Sequence, residues 1–359
     1  MSQSAKTWGI GAAVLAGIGL LGFLHYQSGQ RPAVHMDAET VHTAPSVTDK
    51  RQQITVAFVP VTCHLTCPVT DYASKTTSTG TEFDAQRFTA FPAIVEAIKA
   101  KRVQAAFLTV PLAMQLREQN VPVKICCLGH RNGSAIMVQK SNPAKDLNGL
   151  RGKTIAIPSP FSNENILLHM LMQKQGLKES DLKIIKMAPP DMATSLAAKA
   201  IDGFVVAEPF CSAVERNGTG RALYYAKDIW PHYISCALVV HEDLIKEKPE
   251  VVRDLVRGII GSGEWAEDNR AEAAKLVAPY FRQNVALLNY VLTNTNDRVS
   301  YRMLTPGDAE MQTIEDMGIQ FGILHKRTPM SELMDKSFIP ADVAPIKIDP
   351  SKIGTMPGA

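Results

Sequence analysis

Short apolar runs alternate with amphipathic stretches from residue 54 to residue 240, and beyond that point the pattern is mostly helical. The β-branched run at 54–59 (ITVAFV) is typical of a buried strand, and Pro60 ends it. Residues 166–175 have apolar positions at helical spacing, and Gly176 follows, a residue type that favours the end of a helix. By the same criteria the sequence predicts strands at 105–108, 123–127, 135–138, 154–157, 182–187, 203–206 and 237–240, and helices at 93–100, 112–119, 192–200, 250–269, 271–278 and 306–317.

This alternation of strands and helices predicts an α/β fold with parallel sheets and right-handed crossovers. A chain of 359 residues exceeds what one hydrophobic core usually organises. Two α/β blocks, 54–128 and 129–235, therefore predict two lobes that strands near 126–131 and 233–238 join, with a ligand cleft between them. Ligands of such sheets bind beyond the carboxyl ends of the strands. The cleft should then be lined by the loops 60–72, 108–112, 158–165, 188–192 and 207–211.

The N-terminal segment differs from the rest of the chain. Residues 8–24 contain no charged side chain and are rich in Gly, Ala, Leu and Ile, close to the ~20 residues that a helix needs to cross a bilayer. No small-residue cleavage site follows cleanly, which favours an uncleaved anchor over a cleaved signal sequence. The folded part is then expected on the periplasmic side of the cytoplasmic membrane, either anchored by this helix or secreted after cleavage.

The predicted organisation has five parts. It consists of a signal sequence or membrane anchor at 1–27, a linker at 28–53, a first lobe made of 54–128 and 237–340, a second lobe at 129–236, and a tail at 341–359.

The charge balance is nearly even, with 38 Lys and Arg against 35 Asp and Glu and a formal net charge of +3. The sequence has no block of Lys or Arg, whereas binding to nucleic-acid phosphates needs a concentrated basic face. We therefore expect a small-molecule ligand or a protein partner and no nucleic acid. The sequence contains no nucleophile elbow, P-loop, dinucleotide-binding glycine motif or HExxH motif. We accordingly predict that the chain is not an enzyme.

Two stretches carry a resemblance to a known family. Residues 149–177 (GLRGKTIAIPSPFSNENILLHMLMQKQGL) and 188–210 (APPDMATSLAAKAIDGFVVAEPF) resemble the substrate-binding proteins of ABC importers for nitrate, bicarbonate and sulfonates, of the NMT1/THI5-like type. That family has an L-x-G-K-x-x-A-x-P strand with a Ser- and Asn-rich turn after it, and later a P-P-x-x-M run that leads to I-D-G-F and E-P. The resemblance extends over residues 54–325. The matching positions are Gly152, Lys153, Pro158, Met192, residues 201–204, Glu208 and Pro209.

The resemblance implies a two-lobed periplasmic-binding-protein fold of type II with a helical C-terminal region. It also implies an extracytoplasmic protein that captures a small anion or related solute by lobe closure, with an ABC permease as its membrane partner and a monomeric state. The chain departs from the family where VTCHLTCP at 61–68 replaces the usual L-T-D-x-A-P loop and where Phe91 replaces a Trp. The identity of the ligand therefore stays open. The alternatives are a thiol and imidazole site for a metal or metal complex, a ligand sensor, and an enzyme of the thiamine-pyrimidine type.

The cysteines lie on the predicted crossing strands and cleft loops. In an oxidising compartment they predict disulfides, either Cys63 with Cys67 or Cys236 with Cys126 or Cys127, alongside buried free thiols.

A second interpretation gives these side chains a ligand. Cys63, His64, Cys67 and Cys211 supply the thiolate and imidazole groups that hold a soft or borderline metal ion, although Cys-His-x-x-Cys is not the spacing of a standard zinc ribbon. A thiol that reacts with its ligand is the third interpretation. No cofactor other than such a metal is predicted.

Polar residues at strand ends complete the candidate site. Ser159, Ser162, Asn163 and Asn165 either cap the following helix or present hydroxyl and amide groups to a ligand, as the same loop of the family does. Glu208 is either a structural carboxylate or a ligand contact, and Arg87 and Arg131 are candidate partners of an anion. The predicted ligand-binding residues are Thr62, Cys63, His64, Thr66, Cys67, Phe91, Thr109, Ser159, Ser162, Asn163, Glu208 and Cys211, with Cys63, His64 and Cys67 as the metal candidates.

Overall fold

The computed structural model describes residues 52–61, 74, 77–295 and 297–342, which all lie in one compact unit, Asp49–Ala359. Within this part the strands are β1 (Gln53–Phe58), β2 (Glu82–Arg87), β3 (Ala105–Leu108), β4 (Val123–Asn132), β5 (Ser134–Gln139), β6 (Thr154–Ile157), β7 (Lys183–Lys186), β8 (Gly203–Ala207), β9 (Gly220–Tyr225), β10 (Ile234–His241) and β11 (Val299–Ser300). The helices are α1 (Phe91–Lys99), α2 (Val110–Glu118), α3 (Asn163–Lys174), α4 (Pro189–Ala197), α5 (Phe210–Arg216), α6 (Ala226–Ile229), α7 (Glu242–Glu247), α8 (Pro249–Asp268), α9 (Arg270–Phe281), α10 (Val285–Thr293), α11 (Asp308–Gln320) and α12 (Met330–Leu333).

The first sheet has the strand order β11-β4-β10-β3-β1-β2. Its strands β1, β2 and β3 are parallel, whereas β10 runs antiparallel to both β3 and β4. The apolar segments of β1, β3 and β10 are buried because neighbouring strands and helices cover them. Because β1, β2 and β3 run in the same direction, their carboxyl ends lie at one edge of this sheet.

The second sheet has the order β7-β6-β8-β5-β9 and uses only residues 134–225. Strand β6 is parallel to β7 and β8, and β5 is antiparallel to β8 and β9. The predicted two-lobed α/β fold is confirmed, with mixed sheets in place of purely parallel ones. The antiparallel pairs arise where the chain reverses its direction as it enters and leaves the second sheet.

Two connections join the sheets. Strand β4 ends at Asn132, and β5 begins at Ser134 after Gly133, whose φ of +85° lies in the left-handed region that favours glycine. The chain returns through α6 into β10.

The predicted membrane segment at 8–24, the linker up to residue 51 and the tail from residue 343 lie outside the described residues. Among the helices that the structure describes, none is both long and apolar enough to cross a membrane.

Candidate ligand site between the sheets

The loops after β3 and β6 meet across the gap between the two sheets. The Thr109 hydroxyl, directly after β3, donates a hydrogen bond of 2.7 Å to the carbonyl of Phe161 in the loop after β6. The Asn163 side chain, at the start of α3, donates through Nδ2 to the carbonyl of Ile234 at the start of β10, at 2.5 Å. Two of the predicted cleft loops, one from each sheet, are therefore in contact.

The first turn of α3 is held by its own polar side chains. Ser162 is the N-cap, and its hydroxyl accepts from the backbone N–H of Asn165 at 3.1 Å. The Ser159 hydroxyl accepts from the N–H of Phe161 at 3.1 Å, and Asn165 Nδ2 donates to the Pro160 carbonyl at 2.8 Å. The capping interpretation is confirmed for Ser162. These contacts fix the conformation of the loop that leads into the helix.

Several polar atoms of this region are buried without a partner. The Oδ1 atoms of Asn163 and Asn165 and the Oγ of Ser235 have no hydrogen-bond partner among the described residues. The amide nitrogens of both asparagines already donate to carbonyl groups, which leaves each Oδ1 as an acceptor that still lacks a donor. Because an unsatisfied buried polar group costs about 1–3 kcal/mol, a bound solute or water that pairs with them would stabilise the protein.

Sequence reasoning missed Ser235. It lies in β10 (ISCALVVH) between apolar residues, and it sits within a register irregularity where β10 pairs with β4. The sequence pattern that could have identified Ser235 is a single hydroxyl residue inside an otherwise apolar strand.

Glu208 is 1% exposed and is fully engaged with protein groups. Its carboxylate accepts from the Ser212 N–H at 2.8 Å, from the Ser212 hydroxyl at 2.9 Å and from Arg298 Nε at 2.9 Å. Burial raises the pKa of Glu208, while Arg298 and Ser212 act in the opposite direction. Of its two interpretations, these contacts favour the structural carboxylate.

Arg298 connects the segment before β11, which belongs to the first sheet, to the second sheet. Besides Glu208, its guanidinium pairs with Glu215 and donates to the Tyr225 hydroxyl at 3.2 Å. It also lies over the rings of Tyr225 and Tyr290, with 5.3 and 5.5 Å to their centroids. Burial disfavours the charged form, but the two carboxylates outweigh it and raise the pKa of Arg298. Arg298 was not predicted, because its partners lie far away in the sequence.

The two arginines that were candidates for binding an anion differ in their surroundings. Arg131 is fully buried, pairs with the Glu310 carboxylate and donates to the carbonyls of Met303 and His232. These contacts favour a structural role for Arg131 over its candidate role as the partner of an anion. Arg87 ends β2 and is partly buried; burial and the nearby Arg282 lower its pKa.

The predicted hinge disulfide is wrong. Cys126 and Cys127 are free thiols, and all three hinge cysteines, Cys126, Cys127 and Cys236, are buried. In the register of β4 and β10, Cys127 lies opposite Leu238 and Cys236 opposite His130, so the cysteines are not cross-strand neighbours.

Cys211 is also buried and free, and its Sγ donates to the Val206 carbonyl at 3.1 Å. Burial raises the pKa of the Cys211 thiol, which keeps it neutral, whereas a metal ligand is a thiolate. The described residues contain no group of three or more His, Cys, Asp or Glu side chains that could hold a metal ion.

Phe91 is buried in the hydrophobic core at the start of α1. The remaining predicted contacts, Thr62, Cys63, His64, Thr66 and Cys67, lie outside the described residues.

The model of the NMT1-like family matches residues 48–278. The chain belongs to the NMT1-like family. It is 27% identical over 259 residues to the nitrate import ATP-binding protein NrtC of Synechocystis sp., and that match covers 66% of this chain and 38% of NrtC. The chain spans little more than half, or less, of the length of the curated relatives that it matches.

Solved structures show the same fold. The ligand-binding component of an ABC-type import system from Staphylococcus aureus, with zinc bound, has a TM-score of 0.72 and 22% identity, over 82% of this chain and 99% of that chain. The periplasmic nitrate-binding protein NrtA from Synechocystis PCC 6803 has a TM-score of 0.73 and 13% identity, over 86% of this chain and 92% of that chain. The family resemblance and the periplasmic-binding-protein fold expected from the sequence are thus confirmed.

Proposed function

We propose that this NMT1-like protein is the extracytoplasmic substrate-binding component of an ABC importer. It captures a small polar solute such as nitrate, bicarbonate or a sulfonate between its lobes. It then delivers this solute to a membrane permease. The observation that carries the proposal is the contact between the carboxyl-end loops of the two sheets, through Thr109 with Phe161 and Asn163 with Ile234. The relatives with this fold are binding proteins of importers. We propose a binding role without catalysis.

The proposed lobes follow the sheets. The first lobe comprises 54–128 and 237–340, and the second comprises 129–236. In the proposed mechanism the solute binds first to one lobe, and closure about Gly133 then adds the contacts of the other lobe. Unpaired acceptors such as Asn163 Oδ1 support this mechanism, because a hydrogen-bond donor of an enclosed solute, or a water molecule bound with it, would satisfy them.

We also propose that the loop after β1 contributes Thr62, Cys63, His64, Thr66 and Cys67 to the solute site. Strands β1 and β3 are parallel neighbours, so the residues after both strands leave the sheet at the same edge. Thr109, directly after β3, already reaches the second sheet from that edge. A residue that follows β1 leaves toward the same gap.

The test begins with thermal unfolding of the full chain in the presence of nitrate, bicarbonate, taurine or methanesulfonate, each added alone. At least one of them should raise the melting temperature, and small-angle scattering at saturation should then show a smaller radius of gyration. If none of the four binds, the proposed solute class is wrong. An unchanged radius of gyration at saturation would contradict lobe closure.

Two variants connect binding to the proposed site. Thr109→Val and Asn163→Ala should each weaken affinity for the solute about tenfold or more, because each removes a bond between the sheets. Thr313→Val is the matched control, since the Thr313 hydroxyl also donates to a carbonyl, that of Ala309, but within α11. If Thr109→Val and Asn163→Ala bind the solute as tightly as the control variant and the unaltered protein do, the solute binds at a different place.

A further inference from the structure

The segment between α10 and β11 is fixed to the first lobe at both of its ends. Arg270, at the start of α9, donates from Nη1 to the carbonyl of Leu292 in α10 at 3.0 Å and to the carbonyl of Val299 at 3.2 Å. Val299 itself pairs with Asn132 of β4 in the first sheet. Arg298, the residue before Val299, is therefore held on the side of the first lobe.

Arg298 reaches from this segment to the second lobe. Its Nε lies 2.9 Å from the Glu208 carboxylate, and its Nη2 pairs with Glu215 and donates to the Tyr225 hydroxyl at 3.2 Å. These partners belong to the loop after β8, to α5 and to β9. The side chains of Arg298 and Glu208 are only 6% and 2% exposed, so water can replace these bonds only after the groups separate.

A second arginine makes the reciprocal contact, from the second lobe to the first. Arg216, the last residue of α5, donates from Nη1 to the carbonyl of Ala286 in α10 at 2.5 Å. Its guanidinium also lies over the ring of Tyr290 in α10, 5.4 Å from the centroid, and Arg298 lies over the same ring at 5.5 Å. Tyr290 therefore contacts one cation from each lobe.

These bonds oppose any movement that separates the second lobe from α10 and β11. Each bond has its donor in one lobe and its acceptor in the other, so the lobes cannot part at this place while the bonds remain. Hydrogen bonds that involve a charged group are about twice as strong as those between neutral groups. The closed arrangement is therefore favoured even without a solute in the cleft.

We propose that Arg298 and Arg216 form a latch that keeps the lobes of the solute-free protein together, so that the strength of this latch sets how often the cleft opens. The inference rests on the proposed movement of the lobes and is independent of which solute they enclose. A weaker latch increases the population of open molecules, and a solute then enters the cleft more often.

Hydrogen–deuterium exchange of the solute-free full chain tests the latch. The loops 108–112 and 158–165 report opening of the lobes, because the hydrogen bond from Thr109 to Phe161 joins them across the cleft. Strands β3 and β6 lie inside the two sheets and report unfolding of each sheet instead. Opening of the latch should therefore accelerate exchange in the loops and leave exchange in these strands unchanged.

Two variants weaken the latch at different bonds. Glu215→Gln keeps an acceptor for the Tyr225 hydroxyl but removes the charge that Arg298 meets, and exchange in both loops should become about fivefold faster, which is the difference between a charged and a neutral hydrogen bond. Arg216→Met removes the bond to Ala286 and should accelerate exchange in the same loops. Because Arg216 is exposed, this second variant decides the outcome if Glu215→Gln does not fold.

Asp268→Asn is the matched control, because Asp268 forms an ion pair with Arg302 inside the first lobe, and it should leave all exchange rates unchanged. Unchanged exchange in the cleft loops of the folded latch variants would overturn the proposal. Equal acceleration in the loops and in β3 and β6 would also overturn it, since the two arginines would then only stabilise the fold. Faster loop exchange alone, in a protein that binds none of the four solutes, would contradict the proposed solute class and still support the latch.

Discussion

Replacement of Asp254 by alanine should destabilise the protein strongly. Asp254 lies in α8, is 4% exposed, and accepts hydrogen bonds from the segment that leads into β2. The donors are the Thr77 hydroxyl at 2.7 Å, the Ser78 N–H and hydroxyl at 2.8 and 2.9 Å, and the Thr79 N–H and hydroxyl at 3.1 Å each. One carboxylate therefore fixes three successive residues.

The expected loss in the free energy of unfolding follows from these bonds. A hydrogen bond to a charged group contributes about 1.5–3 kcal/mol. Ser78 and Thr79 are exposed, so their hydroxyl groups can bond to water after the substitution. The backbone N–H groups of Ser78 and Thr79 cannot turn toward water as freely. Counting only these two hydrogen bonds, at about 1.5 kcal/mol each, gives an expected loss of about 3 kcal/mol in the free energy of unfolding.

Urea unfolding at several pH values measures this loss. Burial acts to raise the pKa of Asp254, but the hydrogen bonds from Thr77, Ser78 and Thr79 outweigh it, so the folded pKa is lowered. The stabilisation is thus present above the unfolded pKa of ~3.9 and is lost as the pH falls through the folded value. The gap between Asp254→Ala and the unaltered protein should be largest at neutral pH and should shrink below about pH 4.

Glu264→Ala is the matched control, because Glu264 is an exposed carboxylate of the same helix without a hydrogen bond or ion pair among the described residues. It should change the free energy of unfolding by less than ~0.5 kcal/mol. Equal effects of the two substitutions, or a gap that persists undiminished to pH 3, would refute the reasoning.

Two further substitutions test the hinge and the thiols. Gly133→Ala should destabilise by more than Gly218→Ala in thermal unfolding: both have positive φ, which costs about 1–2 kcal/mol, but only at Gly133 would the new Cβ lie 2.9 Å from His130 Nε2. Equal losses would contradict this. In a Cys63→Ser, Cys67→Ser variant the buried thiols of Cys126, Cys127 and Cys211 should react with Ellman's reagent only after unfolding in urea, because burial makes them inaccessible and raises their pKa. Rapid reaction of even one thiol in the native protein would contradict their burial.

The interior strands could be predicted closely from the sequence. The predictions at 105–108 and 154–157 coincide with β3 and β6, because strands covered on both faces consist of continuous apolar runs. The edge strand β2 (EFDAQR) was missed. It has a single neighbouring strand and is mostly half-exposed, so it contains charged residues in place of an apolar pattern.

The other elements were predicted less closely, because they contain polar residues whose hydrogen-bond and ion-pair partners lie far away in the sequence. The prediction for β4 ended at residue 127, whereas the strand continues to Asn132. The charge of Arg131 is balanced by Glu310, 179 residues later, which no local pattern reveals. The candidate site shows the same effect: the E-P motif identified Glu208 from the sequence, but no sequence pattern identified its partner Arg298.

The strand order also determines when each lobe can fold during synthesis. The second sheet uses one continuous stretch, so its strands can pair as soon as residue 225 is available. The first sheet needs β10 to fill the place between β3 and β4, and Ala237 pairs with Leu108, which is far earlier in the chain. Until β10 arrives, the apolar strand β3 has an open edge, which is where intermolecular strand pairing begins. Interrupted synthesis would therefore leave a folded second lobe attached to an aggregation-prone first lobe.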